Sequence, residues 1–236
     1  LLTQIQDEVH RFAITYFHNT HSKNLFSSQL DEIKGIGKVK KTQILKLLNE
    51  PDFENNLKQL KLNEEQINEV LNILNHMKIT VIGCGNGAFA TAADLSSRGH
   101  EITLYVQESH KKNFDAIRES KTIICKGVGP QGHIHIHEVT HDTALAMKNP
   151  DLVIPVLPSF AHEDVAKTIA PYVKPGMKFF MSPGSTGGAL VFAKVFRDMG
   201  KLEGVKFADV HTLPYTARRV GDDGVNITLL TDVMYF

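Results

Sequence analysis

Residues 77–105 read MKITVIGCGNGAFATAADLSSRGHEITLY. Lys78 to Ile82 is short, apolar and β-branched, as a parallel strand buried on both faces should be. Gly83-Cys84-Gly85-Asn86-Gly87-Ala88 follows without a gap. Phe89 to Ser97 is rich in alanine and forms a helix, which Arg98-Gly99-His100 stops. Glu101 to Val106 is a second strand. Strand, glycine turn, helix and strand in this length make a βαβ unit.

The turn has a specific physics. Gly83 allows a tight exit from the strand. Gly85 has no Cβ, so a pyrophosphate can approach the backbone. Ala88 takes the third position of the G-x-G-x-x-G/A pattern, where a small residue lets helix and strand pack closely. The free N–H groups and the positive end of the helix dipole then face the phosphates. Gly83, Gly85, Asn86, Gly87 and Ala88 are therefore candidate cofactor-binding residues, for NAD or NADP.

The next stretch bears on which of the two. Gln107-Glu108-Ser109-His110-Lys111-Lys112 occupies the place where an acid binds the adenosine ribose. Glu108 falls a residue or two late. Ser109, His110, Lys111 and Lys112 suit a 2′-phosphate instead, or simply open a solvated helix, so NAD versus NADP stays open. Thr122 to Cys125 and His133 to Val139 read as strands. His133, His135 and His137 share one face of the second, and no acid or cysteine spacing completes a metal site, so a solvated polar face is expected. Asp142 to Lys148 is a short helix. Asp151 to Leu157 is a central strand, followed by Pro158-Ser159-Phe160-Ala161-His162-Glu163 opening a helix to Ile169. At the carboxyl end of such a strand, Leu157, Pro158 and Ser159 are further candidates for the cofactor crevice. Ser159 and His162 either line the ribose or nicotinamide, or are a helix cap and a surface imidazole. Met177 to Met181, Val205 to Val210 and Asn226 to Leu230 are strands, with a small-residue loop Ser182 to Gly188 and a helix Ala189 to Met199 between the first two. The succession predicts an α/β fold with a doubly wound parallel Rossmann sheet.

The front of the chain, residues 1–76, differs. It is rich in Lys, Asn, Gln, Glu and Leu and holds only Gly35 and Gly37. Leu2 to Phe17 has helical apolar spacing. Ser27 or Ser28 caps a helix to Ile33, Lys38 to Leu48 is the next, and Asn63-Glu64-Glu65-Gln66 opens a last one through Leu74. Helix, Gly35-Ile36-Gly37, helix is a helix-hairpin-helix pattern. Its glycines bring backbone close to a DNA phosphate, and Lys38, Lys40 and Lys41 add charge that reads no sequence.

The 236 residues allow one or two domains, and a net charge of zero gives no global field for nucleic acid or membrane. Two cysteines, Cys84 and Cys125, point to a reducing cytoplasm rather than a disulfide scaffold. No apolar run spans a membrane and no signal peptide is visible. The chain opens on Leu1 rather than Met, as a cut N-terminus would. It closes on the apolar Val233-Met234-Tyr235-Phe236, as a chain that continues would.

Two resemblances attach to these motifs. Asp7-Glu8-Val9-His10-Arg11-Phe12-Ala13-Ile14-Thr15 and Leu30-Asp31-Glu32-Ile33-Lys34-Gly35-Ile36-Gly37 resemble the C-terminal end of the excinuclease UvrC family of nucleotide excision repair. The resemblance implies double-stranded DNA binding through residues 27–74. It matches His10 to the His of a metal-dependent Asp-Asp-His nuclease triad, whose two Asp partners would lie upstream of Leu1. Lys34 replaces a usual Pro, and the second hairpin, near Lys61-Leu62-Asn63, lacks glycine. Residues 77–236 resemble the N-terminal domain of the opine (octopine and nopaline) dehydrogenase family. That likeness rests on Gly83 to Ala88, on Val156-Leu157-Pro158-Ser159-Phe160-Ala161-His162-Glu163, and on Thr212-Leu213-Pro214-Tyr215-Thr216-Ala217-Arg218. It implies NAD(P)H binding and reductive condensation of an amino acid with a 2-oxo acid, with the catalytic His-Asp pair in a further domain that this chain lacks. No His of this chain is assigned that role. A ketopantoate reductase type of dehydrogenase is a third reading, since fold does not fix chemistry. The expected composite is a small all-α helix-hairpin-helix domain, 1–76, before a Rossmann domain, 77–236.

Overall fold

The computed structural model describes residues 27, 30–47, 53–184 and 187–231, and the chain divides into two compact units, Leu1–His76 and Met77–Phe236. The proposed helix Leu2 to Phe17, with His10, lies outside the described residues.

In the first unit, α1 (Lys38–Leu47), α2 (Phe53–Lys58) and α3 (Glu64–Asn75) surround a core that includes Leu30, Ile33, Ile44, Phe53, Leu57 and Val70. The sequence pattern predicts α1 and α3 but not α2, whose six residues are too few for a helical period to show. Asn63 caps α3 reciprocally: its Oδ1 accepts from the Gln66 N–H at 2.7 Å, and Gln66 Oε1 accepts from the Asn63 N–H at 3.2 Å. Gln66 Nε2 also donates to the Lys34 carbonyl at 2.9 Å, tying the turn before α1 to the start of α3.

The second unit is built on a six-stranded parallel sheet in the order β5-β2-β1-β6-β7-β8. The strands are β1 (Lys78–Ile82), β2 (Glu101–Tyr105), β5 (Glu138–Thr140), β6 (Leu152–Pro155), β7 (Lys178–Met181) and β8 (Lys206–Asp209). The order reverses between β1 and β6, the arrangement of a doubly wound Rossmann sheet. Successive residues of β1 serve opposite faces, as the two-residue period requires. Ile79 and Val81 join the core beneath α4 (Asn86–Ser97), and Ile82 joins the core of α7 (His162–Ile169) and α8 (Gly188–Asp198). That second core is aromatic: Phe179 lies 5.2 Å from Phe196 and 5.4 Å from Phe207.

A second sheet goes beyond the expected architecture. β3 (Thr122–Gly127), β4 (Gly132–His135), β9 (Tyr215–Val220) and β10 (Gly224–Leu230) form a mixed four-stranded sheet, β4-β3-β10-β9. The expected single strand His133 to Val139 is therefore split between two sheets, and the stretch after His211, which carries no strand pattern, holds β9. Helix α4 lies between the sheets, touching β1 and β2 on one side and β3, β4, β9 and β10 on the other. Every residue from Gly87 to Asp94 is buried. The alanines at 88, 90, 92 and 93 thus have a reason: a helix covered on all sides needs side chains that let both layers approach. The remaining chain forms α5 (Lys111–Arg118) and α6 (Thr143–Ala146), the latter capped by Asp142.

Among the described residues, no helix is long and apolar enough to cross a membrane.

Candidate functional site

The glycine turn joins β1 to α4, and each of its small residues answers to a different constraint. Gly83 has φ +133°, and a Cβ there would lie 2.6 Å from the Val156 carbonyl oxygen and 3.3 Å from Ala88 Cβ. It is glycine because the end of β6 and the helix leave no room. Gly87 is glycine because a Cβ would meet Leu213 Cδ1 at 2.8 Å and Val156 Cγ1 at 3.1 Å. Gly85 is different. Its φ of −81° suits any residue, and a Cβ would meet nothing within 4 Å. Nothing among the described residues requires glycine there, whereas a ligand approaching the backbone would.

Gly85 is the N-cap of α4 and supplies no side-chain cap. The N–H groups of the first turn, Asn86 to Ala88, are those that have no partner inside a helix. They lie at the carboxyl end of β1, beside the strand-order switch, and the positive end of a 12-residue helix favours an anion there. A cleft of about 520 Å³ opens here, lined by Asn86, Gly87, Pro183 and residues between His211 and Arg218. That volume is in the range of small-molecule sites. Arg218 is the one Arg or Lys of that lining.

The candidate residues do not all converge. Asn86 and Gly87 line the cleft, Gly83 and Gly85 are not among its lining residues, and Ala88 is fully buried. Leu157 is buried in the core, and Pro158 and Ser159 are exposed beyond β6; none of the three lines the cleft. Ser159 does not cap α7, whose N-cap is Ala161. His162 is not a surface residue: it is 1% exposed, edge-on to Phe192, and its ring is where a Cβ on Gly188 would fall, at 2.7 Å. Glu108, Ser109 and His110 form an exposed turn after β2. His133 and His135 are exposed on β4, as expected of a polar strand face, while His137, also exposed, lies between β4 and β5 and does not share their strand.

No strand pattern in the sequence marks β9 or its Arg219 as part of the site. The residues of β9 alternate. Tyr215, Ala217 and Arg219 face α4, while Thr216, Arg218 and Val220 face out. The Tyr215 hydroxyl donates to Asp94 Oδ2 at 2.7 Å, and burial followed by the Asp94 charge pushes the phenol pKa far up. Arg219 reaches the glycine turn at three points. Its backbone N–H donates to Asn86 Oδ1 at 2.7 Å, its Nη1 donates to the Cys84 carbonyl at 3.0 Å, and its guanidinium lies 3.6 Å from the Phe89 ring centroid. Burial holds the Cys125 thiol at about 11, with Asp94 adding to it, so that cysteine is an inert core residue rather than a nucleophile.

In the first unit, Gly35 has φ +86° and Gly37 faces open space. Lys38 is exposed at the start of α1. Lys41 is committed to an ion pair with Asp31 at 2.6 Å, and Lys40 Nζ donates to the Lys61 carbonyl at 3.4 Å. Lys61 itself takes φ +52°, filling with a lysine the left-handed position where a glycine is more comfortable. Glu64 and Glu65 open α3, so the second turn meets an acidic helix start.

Comparison with known proteins agrees with this geometry. Residues 78–183 match the family model described as NAD-dependent glycerol-3-phosphate dehydrogenase N-terminus. The opine dehydrogenase of Arthrobacter sp. (strain 1C) is 31% identical over 156 residues, covering 66% of this chain and 43% of that protein. The UvrABC system protein C of Lactobacillus gasseri is 61% identical over 46 residues, 20% of this chain and 8% of that protein. Among solved structures, octopine dehydrogenase in complex with NADH and agmatine superposes with a TM-score of 0.58 at 24% identity, covering 67% of this chain and 41% of that one. Yersinopine dehydrogenase with NADP+ bound gives 0.57 at 17% identity, over 68% and 41%. The chain spans less than half the length of each of these relatives. Its second unit is related to the N-terminal, NAD-binding domain of opine dehydrogenases, and a short segment of the chain is similar to UvrABC system protein C.

Proposed function

We propose that Met77–Phe236 is the NAD(P)-binding domain of an oxidoreductase of opine dehydrogenase type, acting in the reductive condensation of an amino acid with a 2-oxo acid. The carrying observation is Gly85, a glycine that no contact among the described residues explains, at the uncapped start of a buried helix. The residues fit the cofactor: Gly85, Asn86, Gly87 and Ala88 present backbone N–H groups to its pyrophosphate, and Gly83 sets the turn. When bound, the nicotinamide supplies or takes up a hydride. The protein's part is to hold the pyrophosphate, exclude bulk from the backbone and orient the ring toward the cleft. The test is titration of the full chain with NADH and NADPH beside Gly85→Asp, which places a carboxylate against the phosphates. Wild type binding and the variant failing to bind support the assignment; equal binding by both refutes it.

A second reading is favoured for the first unit by its own observation, the Gly35-Ile36-Gly37 turn with Lys38 exposed beyond it. We infer that residues 27–74 are a helix-hairpin-helix element that grips a duplex phosphate, as the similarity to UvrABC system protein C suggests. Duplex binding that weakens with salt and with Lys38→Ala tests it. Salt-independent binding or none at low ionic strength removes it.

A further inference from the structure

We infer that Arg219 is the positioning residue of the cofactor turn: it fixes the Cys84–Asn86 backbone from the second sheet and adds a cation beside the pyrophosphate position. The inference rests on the reading of that turn as a dinucleotide site.

The geometry is specific to the turn. Three contacts from one residue fall on Cys84, Asn86 and Phe89, which bracket Gly85 and the first helical turn. The Asn86 side-chain oxygen accepts from the Arg219 N–H, which fixes its orientation at the rim of the cleft. The guanidinium is planar, stacks on Phe89 and donates to the Cys84 carbonyl, the combination for which arginine is suited and lysine only partly. Its Nη2 donates to the Asp222 carbonyl in the turn after β9, so both ends of the fork rest on neutral backbone acceptors. The Nε hydrogen is buried with no acceptor among the described residues. Burial lowers the guanidinium pKa, and its neighbours Cys84, Asp222 and Asp223 oppose that only in part. An arginine nevertheless stays charged, so a cation is held against Cys84 and Phe89, the residues that flank the N–H groups which favour an anion. Arg218 has a different place: it lines the cleft, whereas Arg219 is not among the lining residues.

The experiment measures dissociation constants of the full chain for NADH, NADPH and adenosine, each at low and high salt, for wild type, Arg219→Met and Arg219→Lys. The Met variant is expected to weaken the dinucleotides by about tenfold or more, to change adenosine little, and to flatten the salt dependence of dinucleotide binding. The Lys variant is expected to recover the salt dependence and most of the affinity. Equal losses for adenosine and dinucleotide with an unchanged salt dependence would overturn the charge role and leave a purely structural residue. Dinucleotide binding by Arg219→Met equal to wild type would overturn the proposal altogether. Should Arg219→Met not fold, the Lys variant decides: loss of the wild-type preference for dinucleotide over adenosine contradicts the proposal. A wild type that binds neither dinucleotide refutes the site reading itself, a result distinct from all of these.

Discussion

Tyr215 on β9 and Asp94 on α4 meet in the interior, with the phenol donating to the carboxylate at 2.7 Å and Asp94 only 6% exposed. Arg98 Nε contacts the other carboxylate oxygen at 3.1 Å. This pair fastens the second sheet to the carboxyl half of α4, as Arg219 fastens it to the amino end. Tyr215→Phe removes the donor and leaves a buried carboxylate short of one bond, which costs about 1–3 kcal/mol. Thermal unfolding should fall by several degrees. An unchanged midpoint would show that the contact carries no net stability.

Gly83→Ala should be far more damaging, because the new methyl meets the Val156 carbonyl at 2.6 Å in a backbone conformation, φ +133°, that side chains avoid. The expected loss is about 3 kcal/mol or more, read from chemical unfolding. A variant as stable as wild type would mean that the turn is looser than its geometry.

Lys178 gives a pH signature. Burial, opposed by Asp151 and assisted by Lys206, lowers its pKa from 10.5 to about 8. A depressed folded value means that the stability present above pH 10.5 is lost as the pH falls through about 8, where the half-buried amine must take up its proton. Lys178→Met should therefore raise the unfolding midpoint at neutral pH, with the gap to wild type closing as the pH approaches 10.5. A gap independent of pH would assign the effect to packing alone.

The first unit offers a gain of function. Lys41 is held by Asp31 at 2.6 Å and is the more buried partner of the pair. Asp31→Asn frees that charge and removes a negative one near the Gly35 turn. Duplex affinity at low salt should rise, with a steeper salt dependence by about one phosphate contact. Unchanged or weaker affinity would mean that this turn does not meet the duplex.

The βαβ unit and most of the parallel sheet are legible in the sequence because β1, β6 and β7 are continuous apolar runs and the glycine turn interrupts them at a fixed spacing. The mixed sheet is not. The inward residues of β9 are Tyr215, Ala217 and Arg219, two of them polar, so no apolar alternation marks the strand. Their contacts with Asp94, Asn86 and Cys84 reach more than a hundred residues back in sequence. The sequence leaves His162 between a cleft residue and a surface imidazole for a similar reason: its burial depends on the close approach of Gly188, which sequence spacing does not encode. The alanines of α4 read as helix propensity, and only the second sheet reveals them as a packing requirement on both sides.

The most direct test of the account is the thermal midpoint of the full chain with no ligand, NADH or NADPH, for wild type and Gly85→Asp. A Cβ at Gly85 meets nothing within 4 Å, and an Asp there can cap α4, so the unliganded variant should unfold at or above the wild-type temperature. At about a hundred times the dissociation constant, at least one dinucleotide should stabilise wild type by roughly 2.7 kcal/mol, a shift of several degrees, and leave Gly85→Asp unmoved. A folded wild type that neither dinucleotide shifts, or a variant shifted as far as wild type, would contradict the account.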